Sequence, residues 1–364
     1  MSSGIERSLE AQMERIERAQ QARRARPLIR DAHVTLSHGA GGKATHDLVD
    51  GLFAPAFANP LLATQDESAI LAVPTARLAF TTDSYVVSPL VFPGGDIGRL
   101  AVHGTVNDLA MMGAEPRYLS VGFIIEEGLE MAVLRRVVES MAAAAAEAGV
   151  SIVTGDTKVV PRGKADRLFI TTSGVGELRD GVMLSHRNAR PGDRVLLSGT
   201  IGDHGMAVML AREAFEFEAE IASDSAPLWT LVRALLDAAP GTRALKDPTR
   251  GGVATSLNEF AQQSGVAIAV EEEKVPIRAE VRGACEILGI DPLHIANEGK
   301  LLAVVPAAEA DAALAALKGH PLGVAAAIIG EVLPEPEGMV ILRTGIGGSR
   351  VLDMLVGDPL PRIC

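Results

Sequence analysis

The sequence closes on Pro361-Arg362-Ile363-Cys364. A cysteine in last position has no downstream chain to hold it in a core, so its thiol can swing on an arm and enter a pocket. A thiol pKa near ~8.5 leaves some thiolate at neutral pH, enough to carry an acyl-type group. An incidental cysteine on a frayed end is the competing reading of the same residue. Four aspartates make a second pattern: Asp66, Asp83, Asp108 and Asp156. Each is expected beside a strand or helix end, flanked by small or apolar residues. Carboxylates so placed hold Mg²⁺ and bridge it to substrate phosphates. Singly, each also reads as a turn or capping aspartate. The set of four, with Lys158 close to Asp156, favours ion binding.

Several polar turns add to this. His38-Gly39-Ala40-Gly41-Gly42-Lys43 lets backbone N–H groups approach phosphates. It lacks the Lys-Ser/Thr ending of a P-loop. Asp247-Pro248-Thr249-Arg250-Gly251-Gly252 opens a predicted helix, and a helix start with glycines and Arg250 is an anion site or a plain turn. Asn297-Glu298-Gly299-Lys300 precedes a predicted strand and puts Glu298 at a cleft. Gly202-Asp203-His204-Gly205 is a polar turn in which His204 bonds or caps rather than catalyses. His33, Lys43 and Lys274 have no decisive spacing.

These residues need elements to position them. Strand patterns fall at 69–73 and 78–82, the second closed by Asp83. Helical spacing runs over 97–112 and 128–148, the latter ended by Gly149. Strands follow at 119–125, at 150–154 with Gly155-Asp156-Thr157-Lys158 at its end, and at 168–174. This alternation predicts an α/β layer domain up to about residue 180. A second domain follows, with strands at 194–198, 266–270, 301–305, 324–329 and 339–343. Its helices are expected near 205–213, 226–238, 252–263, 279–288 and 307–317. Residues 5–29 read as an exposed helical arm, Gly345–Arg350 as flexible and Leu352–Val356 as a weakly pairing segment. The expected division is an extension over 1–30, an N-terminal domain over 31–185, a C-terminal domain over 190–343 and a tail over 344–364.

The 364 residues are too many for one ordinary core, so two domains are the default. A net charge of -12 argues against binding a nucleic-acid backbone. Two cysteines, Cys285 and Cys364, make neither a disulfide framework nor a Cys-rich metal site, and Cys285 reads as a buried apolar residue. No apolar run reaches membrane-spanning length and no signal core opens the chain, so the expectation is a cytoplasmic protein without membrane contact.

Taken together, the motifs resemble the HypE family of hydrogenase maturation factors. That family belongs to a superfamily with aminoimidazole ribonucleotide synthetase, selenophosphate synthetase and thiamine-monophosphate kinase. The matching pieces are His38–Lys43, Phe80-Thr81-Thr82-Asp83, Gly104–Ala114, Gly155–Lys158, Gly202–Gly205, Asp247–Gly252, Asn297–Gly299 and Pro361–Cys364. The resemblance implies a two-domain α/β fold of the aminoimidazole ribonucleotide synthetase type. Its N-terminal sheet would pair across a homodimer, its C-terminal α/β sandwich would cover an ATP cleft, and its tail would be flexible. Asp66, Asp83, Asp108 and Asp156 would be the Mg²⁺ ligands, with Asn107 supporting them. Gly39, Gly41, Gly42 and Lys43 would lie over the phosphates, with Thr157 and Arg250 as further nucleotide contacts and Lys158 near the transferring phosphate. The first acidic motif is Gln65-Asp66-Glu67-Ser68 rather than the usual paired aspartates, so Glu67 is a candidate to share that role. The implied reaction is ATP-dependent dehydration of a carbamoyl group on Cys364 to a thiocyanate. HypF would deliver the carbamoyl group and a HypC–HypD iron scaffold would receive the cyanide. A base must take the N–H protons. Glu298 is the first candidate, followed by His103 and His204. A ligase or kinase for a diffusible substrate, or a nucleotide-binding regulator without turnover, are the alternatives that covalent loading of Cys364 separates.

Overall fold

A computed structural model describes residues 29, 31–35, 38, 47–59, 77–213, 220–354 and 363–364. The predicted arm over 5–29 except its last residue, the loop residues Gly39, Gly41, Gly42 and Lys43, the strand at 69–73, Asp66 with Glu67, and Arg362 lie outside these residues.

The first sheet has four strands, β1 (Leu78–Tyr85), β4 (Ala114–Glu126), β5 (Ser151–Val160) and β6 (Leu168–Leu178), in the order β1-β6-β4-β5. Only β4 and β5 run parallel, because α2 (Met131–Ala148) crosses between them. The inner stripe of α2 is Leu134, Val137, Val138, Met141, Ala144 and Ala145, a three-and-four spacing that buries one face. Gly149 stops the helix at φ 70°, a left-handed cap that a side chain resists. A small hairpin, β2 (Val91–Phe92) with β3 (Gly95–Asp96), leads into α1 (Ile97–Met111). The Asp96 carboxylate caps α1 by accepting from Gly98 N and Arg99 N at 2.8 and 3.1 Å. Nearly every residue of α1 is buried, because it lies between the first sheet and the second domain.

The second domain is a seven-stranded sheet in the order β13-β12-β9-β11-β7-β10-β8. Its strands are β7 (Arg194–Leu197), β8 (Ala244–Lys246), β9 (Ala267–Glu271), β10 (Leu302–Val305), β11 (Ala327–Leu333), β12 (Val340–Arg343) and β13 (Ser349–Val351). Both faces are covered. Val195 and Leu197 pack toward α5 (Gly252–Ser264), while Leu196 between them packs toward α4 (Trp229–Ala238) and α7 (Ala310–Lys318). The period of two thus sends alternate side chains of one strand into two cores, each buried side chain contributing about 1.5–3 kcal/mol. Two further helices, α3 (Asp203–Glu213) and α6 (Ala279–Leu288), form an outlying layer with its own apolar cluster.

Three expectations change. Asp83 and Asp156 do not end their strands: β1 continues through Asp83 to Tyr85, and β5 through Asp156 to Val160. The ladders persist because Asp83 pairs with Thr172 and Asp156 with Gly122, positions where the backbone, not the side chain, decides pairing. The segment after 343 is not loose from its start. Ser349–Val351 pairs antiparallel with β12, and Leu352 is fully buried with its N–H on Val340 O at 2.9 Å. The first sheet is an open sheet within one chain.

Candidate functional site

Strand alternation aims Thr81 and Asp83 from β1 at the same face as buried Tyr85, toward α1. There Thr81 Oγ1 donates to Asp108 Oδ2 at 2.9 Å, in the last turn of α1. Burial raises the Asp108 carboxyl above its ordinary pKa, and Asp83 adds to the effect against the Thr81 hydrogen bond. Across the domain boundary Asp247 lies buried in the turn before α5. Burial first, then Asp108, pushes it up to about 7. Glu298 is buried deeper still. Burial, followed by Asp247, Asp224, Asp83 and Asp108, raises its carboxyl well above the usual range. Its Oε1 has no hydrogen-bond partner. Acids from β1, α1 and two loops of the second domain therefore face one another, and Asp83 and Asp108 add to the burial that raises Asp247 and Glu298. Among the described residues, no three of His, Cys, Asp or Glu converge closely enough to hold a metal ion unaided. The donors are all carboxylate oxygens, the set that suits Mg²⁺ when substrate phosphates complete its shell.

The segment 221–228, between α3 and α4, ties these acids in place. Asp224 Oδ1 accepts from Glu298 N at 3.1 Å, and Asp224 Oδ2 lies 3.1 Å from Lys300 Nζ. Gly299 packs so closely on the Asp224 carbonyl that a Cβ would overlap it, which explains the glycine of the Asn297-Glu298-Gly299 motif. Asn297 joins two turns, accepting from Gly202 N at 2.7 Å and donating to Pro248 O at 3.0 Å. Asn107 is not spare for a metal site. Its Nδ2 donates to Ala226 O and Glu298 O at 3.1 and 3.2 Å, and its Oδ1 accepts from Leu228 N at 2.8 Å. It binds α1 to the second domain and places the Glu298 backbone.

Both histidines are engaged by the same segment. His103 on α1 is buried, with Nδ1 3.0 Å from Ser225 Oγ. Burial, then Arg99, lowers its pKa to about 3, so the ring is neutral and its 3.8 Å approach to Glu147 is no ion pair. His204, the second residue of α3, reaches the other end of the chain. Its Nε2 lies 3.0 Å from Ile363 O and its Nδ1 2.8 Å from Ser223 Oγ. Both ring nitrogens are occupied, and burial lowers its pKa, which removes His204 as a proton acceptor. Ile363 is buried, and Val86 N donates to a Cys364 main-chain oxygen at 3.2 Å. Cys364 is half-buried and packs against the N-terminal core. The Val86 contact seats it one residue past Tyr85, whose hydroxyl feels Asp83, Glu298 and Asp108.

Other residues stand elsewhere. Asp156 is exposed and lies with Ser84 on the opposite, outer face of the sheet from Asp83. Three strand spacings, about 14 Å, also separate β5 from β1. The expected set of Asp83, Asp108 and Asp156 is therefore not assembled within one chain. Lys158 Nζ pairs with Asp156 Oδ2 at 2.6 Å, which holds the Asp156 carboxyl below its ordinary pKa. Thr157 lies between them, and Arg250 is exposed at the start of α5. Sequence reasoning missed Asp224, Ser223 and Tyr85. It quoted Asp247 but read only the glycines and arginine of its turn, although an acid opening a helix-leading turn was signal enough.

Two family models match the chain: the N-terminal domain of AIR synthase related proteins over residues 65–178, and the C-terminal domain over 190–343. The carbamoyl dehydratase HypE of Cupriavidus necator is 55% identical over 341 residues, covering 93% of this chain and 97% of that protein. A crystal structure of the hydrogenase maturation protein HypE in complex with ATP aligns with a TM-score of 0.88 at 51% identity, covering 91% of this chain and 99% of that one. The structure of a HypE–HypF complex aligns with a TM-score of 0.75 at 51% identity, over 85% of this chain and 99% of that one.

Proposed function

The chain belongs to the HypE family of carbamoyl dehydratases, and we propose that Cys364 is the thiol on which it works. The reaction is ATP-dependent dehydration of a thiocarbamoyl cysteine to a thiocyanate, which supplies cyanide to the iron of nickel–iron hydrogenase. One observation supports the assignment most. Ile363 and Cys364 are held between the domains, by His204 on one side and Val86 on the other, at the end of the strand that carries Asp83.

The chemistry then follows from the groups present. The carbamoyl oxygen on Cys364 attacks the γ-phosphorus of ATP, and ADP leaves. The carbon–oxygen bond then breaks with phosphate as the leaving group, while the nitrogen gives up its protons and the nitrile forms. The sum is thiocarbamate plus ATP giving thiocyanate, ADP and phosphate. Glu298 is our choice for the proton acceptor, since its unpartnered Oε1 is a buried acceptor without a protein donor. Asp83 and Asp108 are the described residues that would hold Mg²⁺, with Asp66 added from the sequence. Bound there, Mg²⁺ supplies positive charge that orients the γ-phosphate and lowers the cost of ionising the surrounding acids. Asp247 and Asp224 surround Glu298 and tune its acidity. Gly39, Gly41, Gly42 and Lys43 remain our candidates for covering the phosphates, and Arg250 for a nucleotide contact.

The similar HypE–HypF complex supports HypF as the carbamoyl donor. A HypC–HypD scaffold as cyanide acceptor, and the cytoplasm as the place of reaction, rest on the family resemblance. A homodimer fits the outer face of the first sheet. Phe80 is 72% exposed there, and Leu78 and Ile124 are exposed on the same face. Asp156, Thr157 and Lys158 lie on edge strand β5, where a second copy can reach them. A single-turnover reaction tests the assignment. Protein carbamoylated on Cys364 is mixed with Mg-ATP, and phosphate release and the infrared nitrile band should rise together. Phosphate release without a nitrile band would contradict the reading.

A further inference from the structure

The chain end is held by more than a flexible carrier arm requires. The Ile363 side chain is 3% exposed and buried in one apolar cluster with Met206, Ile221, Val281, Ala284, Cys285 and Ile295 of the second domain. Its carbonyl oxygen sits 3.0 Å from His204 Nε2. A carbonyl only accepts, so Nε2 carries the proton and Nδ1 is the acceptor. The Ser223 hydroxyl, 2.8 Å away, must then donate to Nδ1. Ser223 Oγ in turn accepts from Ser225 N at 3.2 Å. A one-way chain of donors thus runs from Ser225 through Ser223 and His204 to the Ile363 carbonyl. The ring cannot turn over without breaking it, and Phe92 stands edge-on at 5.5 Å between ring centroids. Just beyond, the Val86 N–H holds Cys364 from the other domain.

We propose that Ile363 is the anchor of the tail and His204 its positioning residue, so that residue 363, not the cysteine, sets where the Cys364 thiol sits. The proposal takes Cys364 as the carrier thiol, as argued above. The division of labour has a chemical reason. Cys364 changes its cargo during the reaction and can contribute no constant contact through its side chain. The residue before it does not change. An apolar socket and one directed hydrogen bond therefore hold the backbone in a single register, whatever the sulfur carries. Ile363 is then also a specificity element, since a shorter or polar side chain at 363 leaves the socket unfilled.

Two readouts on the full-length protein test this. The first is the rate at which a small maleimide alkylates Cys364 without ATP or partner, followed by peptide mass. The second is the single-turnover rate of nitrile formation on protein already carbamoylated. Isoleucine to alanine at 363 (Ile363→Ala) and His204→Leu should each raise alkylation by roughly tenfold, the effect of losing one buried anchor. Both should slow nitrile formation by a similar factor, with the ATP concentration for half-maximal rate unchanged. His204→Gln, whose amide N–H can still donate, and Ile363→Val should return both rates toward wild type. Thermal midpoints identify any variant that fails to fold, and the two conservative variants keep the test decisive in that case. Alkylation at the wild-type rate in His204→Leu and Ile363→Ala would overturn the anchor. Faster alkylation with unchanged nitrile formation would overturn the positioning role. A wild-type protein that forms no nitrile would sink the proposed function instead, and leaves the alkylation arm to decide the anchor.

Discussion

Glu298 concentrates the account at the scale of one residue. It is a buried acid whose folded pKa is raised, while the unfolded chain ionises it above about 4.5. The folded state therefore binds the extra proton, and stability falls as pH rises above 4.5. Glu298→Gln removes that penalty. Its thermal midpoint should match wild type near pH 4.5 and exceed it increasingly toward pH 8, while nitrile formation drops by about 10²–10⁴-fold. A midpoint below wild type at neutral pH would mean that the carboxylate is ionised and paired. His103 gives the opposite sign. Its pKa falls from 6.5 to about 3, so the unfolded chain binds a proton that the folded chain refuses. Stability is lost as pH falls through that window. His103→Gln should flatten the acid limb of a midpoint-against-pH curve between 6.5 and 3, and a limb as steep as wild type would contradict the buried neutral ring. Residues of this kind were partly legible in the sequence. Glu298 stood in a recognisable motif before a strand. Asp224 did not, because Ser223-Asp224-Ser225 looks like any polar loop and its role comes from meeting Glu298 across 74 residues of chain, and Lys300 beyond it.

Elements explain why those residues meet. Periodicity located α1, α2 and most strands to within a few residues, because each buries one regular stripe. It misjudged the strands that carry Asp83 and Asp156. A charged residue inside a strand reads as an end, although a ladder runs through it whenever its side chain faces a cleft or solvent. The same limit hid the tail hairpin: glycines at 345, 347 and 348 suggested looseness, while the burial of Leu352 that secures β13 is a long-range contact. At α1 the decisive contact is Asn107. Its loss strands the buried Leu228 N–H and two carbonyl groups of the facing domain, so Asn107→Ala should destabilise by about 2–3 kcal/mol. Urea unfolding should then show the two domains parting, as a broadened or split transition. A sharp transition with an unchanged midpoint would show that other contacts hold the interface.

At the scale of the whole molecule, one chain brings together Asp83, Asp108, Asp247, Glu298 and the seat of Cys364, and leaves Asp156 and Lys158 on the far face. That division is what a site completed by a second copy would look like, and the exposed Phe80 marks the surface available for it. Light scattering should give twice the chain mass for the native protein and one chain mass for Phe80→Glu. A native monomer would contradict the dimer. Two runs of alternating elements flank the turn near 190, and the four-stranded and seven-stranded sheets lie on either side of it in sequence. The separation of Asp156 from Asp83 was not legible in the sequence, because only strand order and face parity reveal it. The account turns on a covalent load carried by Cys364. Intact-protein mass spectrometry, after incubation with a HypF-type carbamoyltransferase, carbamoyl phosphate and ATP, tests it most directly. The account predicts a gain of one carbamoyl group on Cys364, followed on full Mg-ATP turnover by the loss of one water's mass, with neither change in Cys364→Ala. An unchanged mass beside a demonstrably active partner, or the same gain in Cys364→Ala, would contradict it.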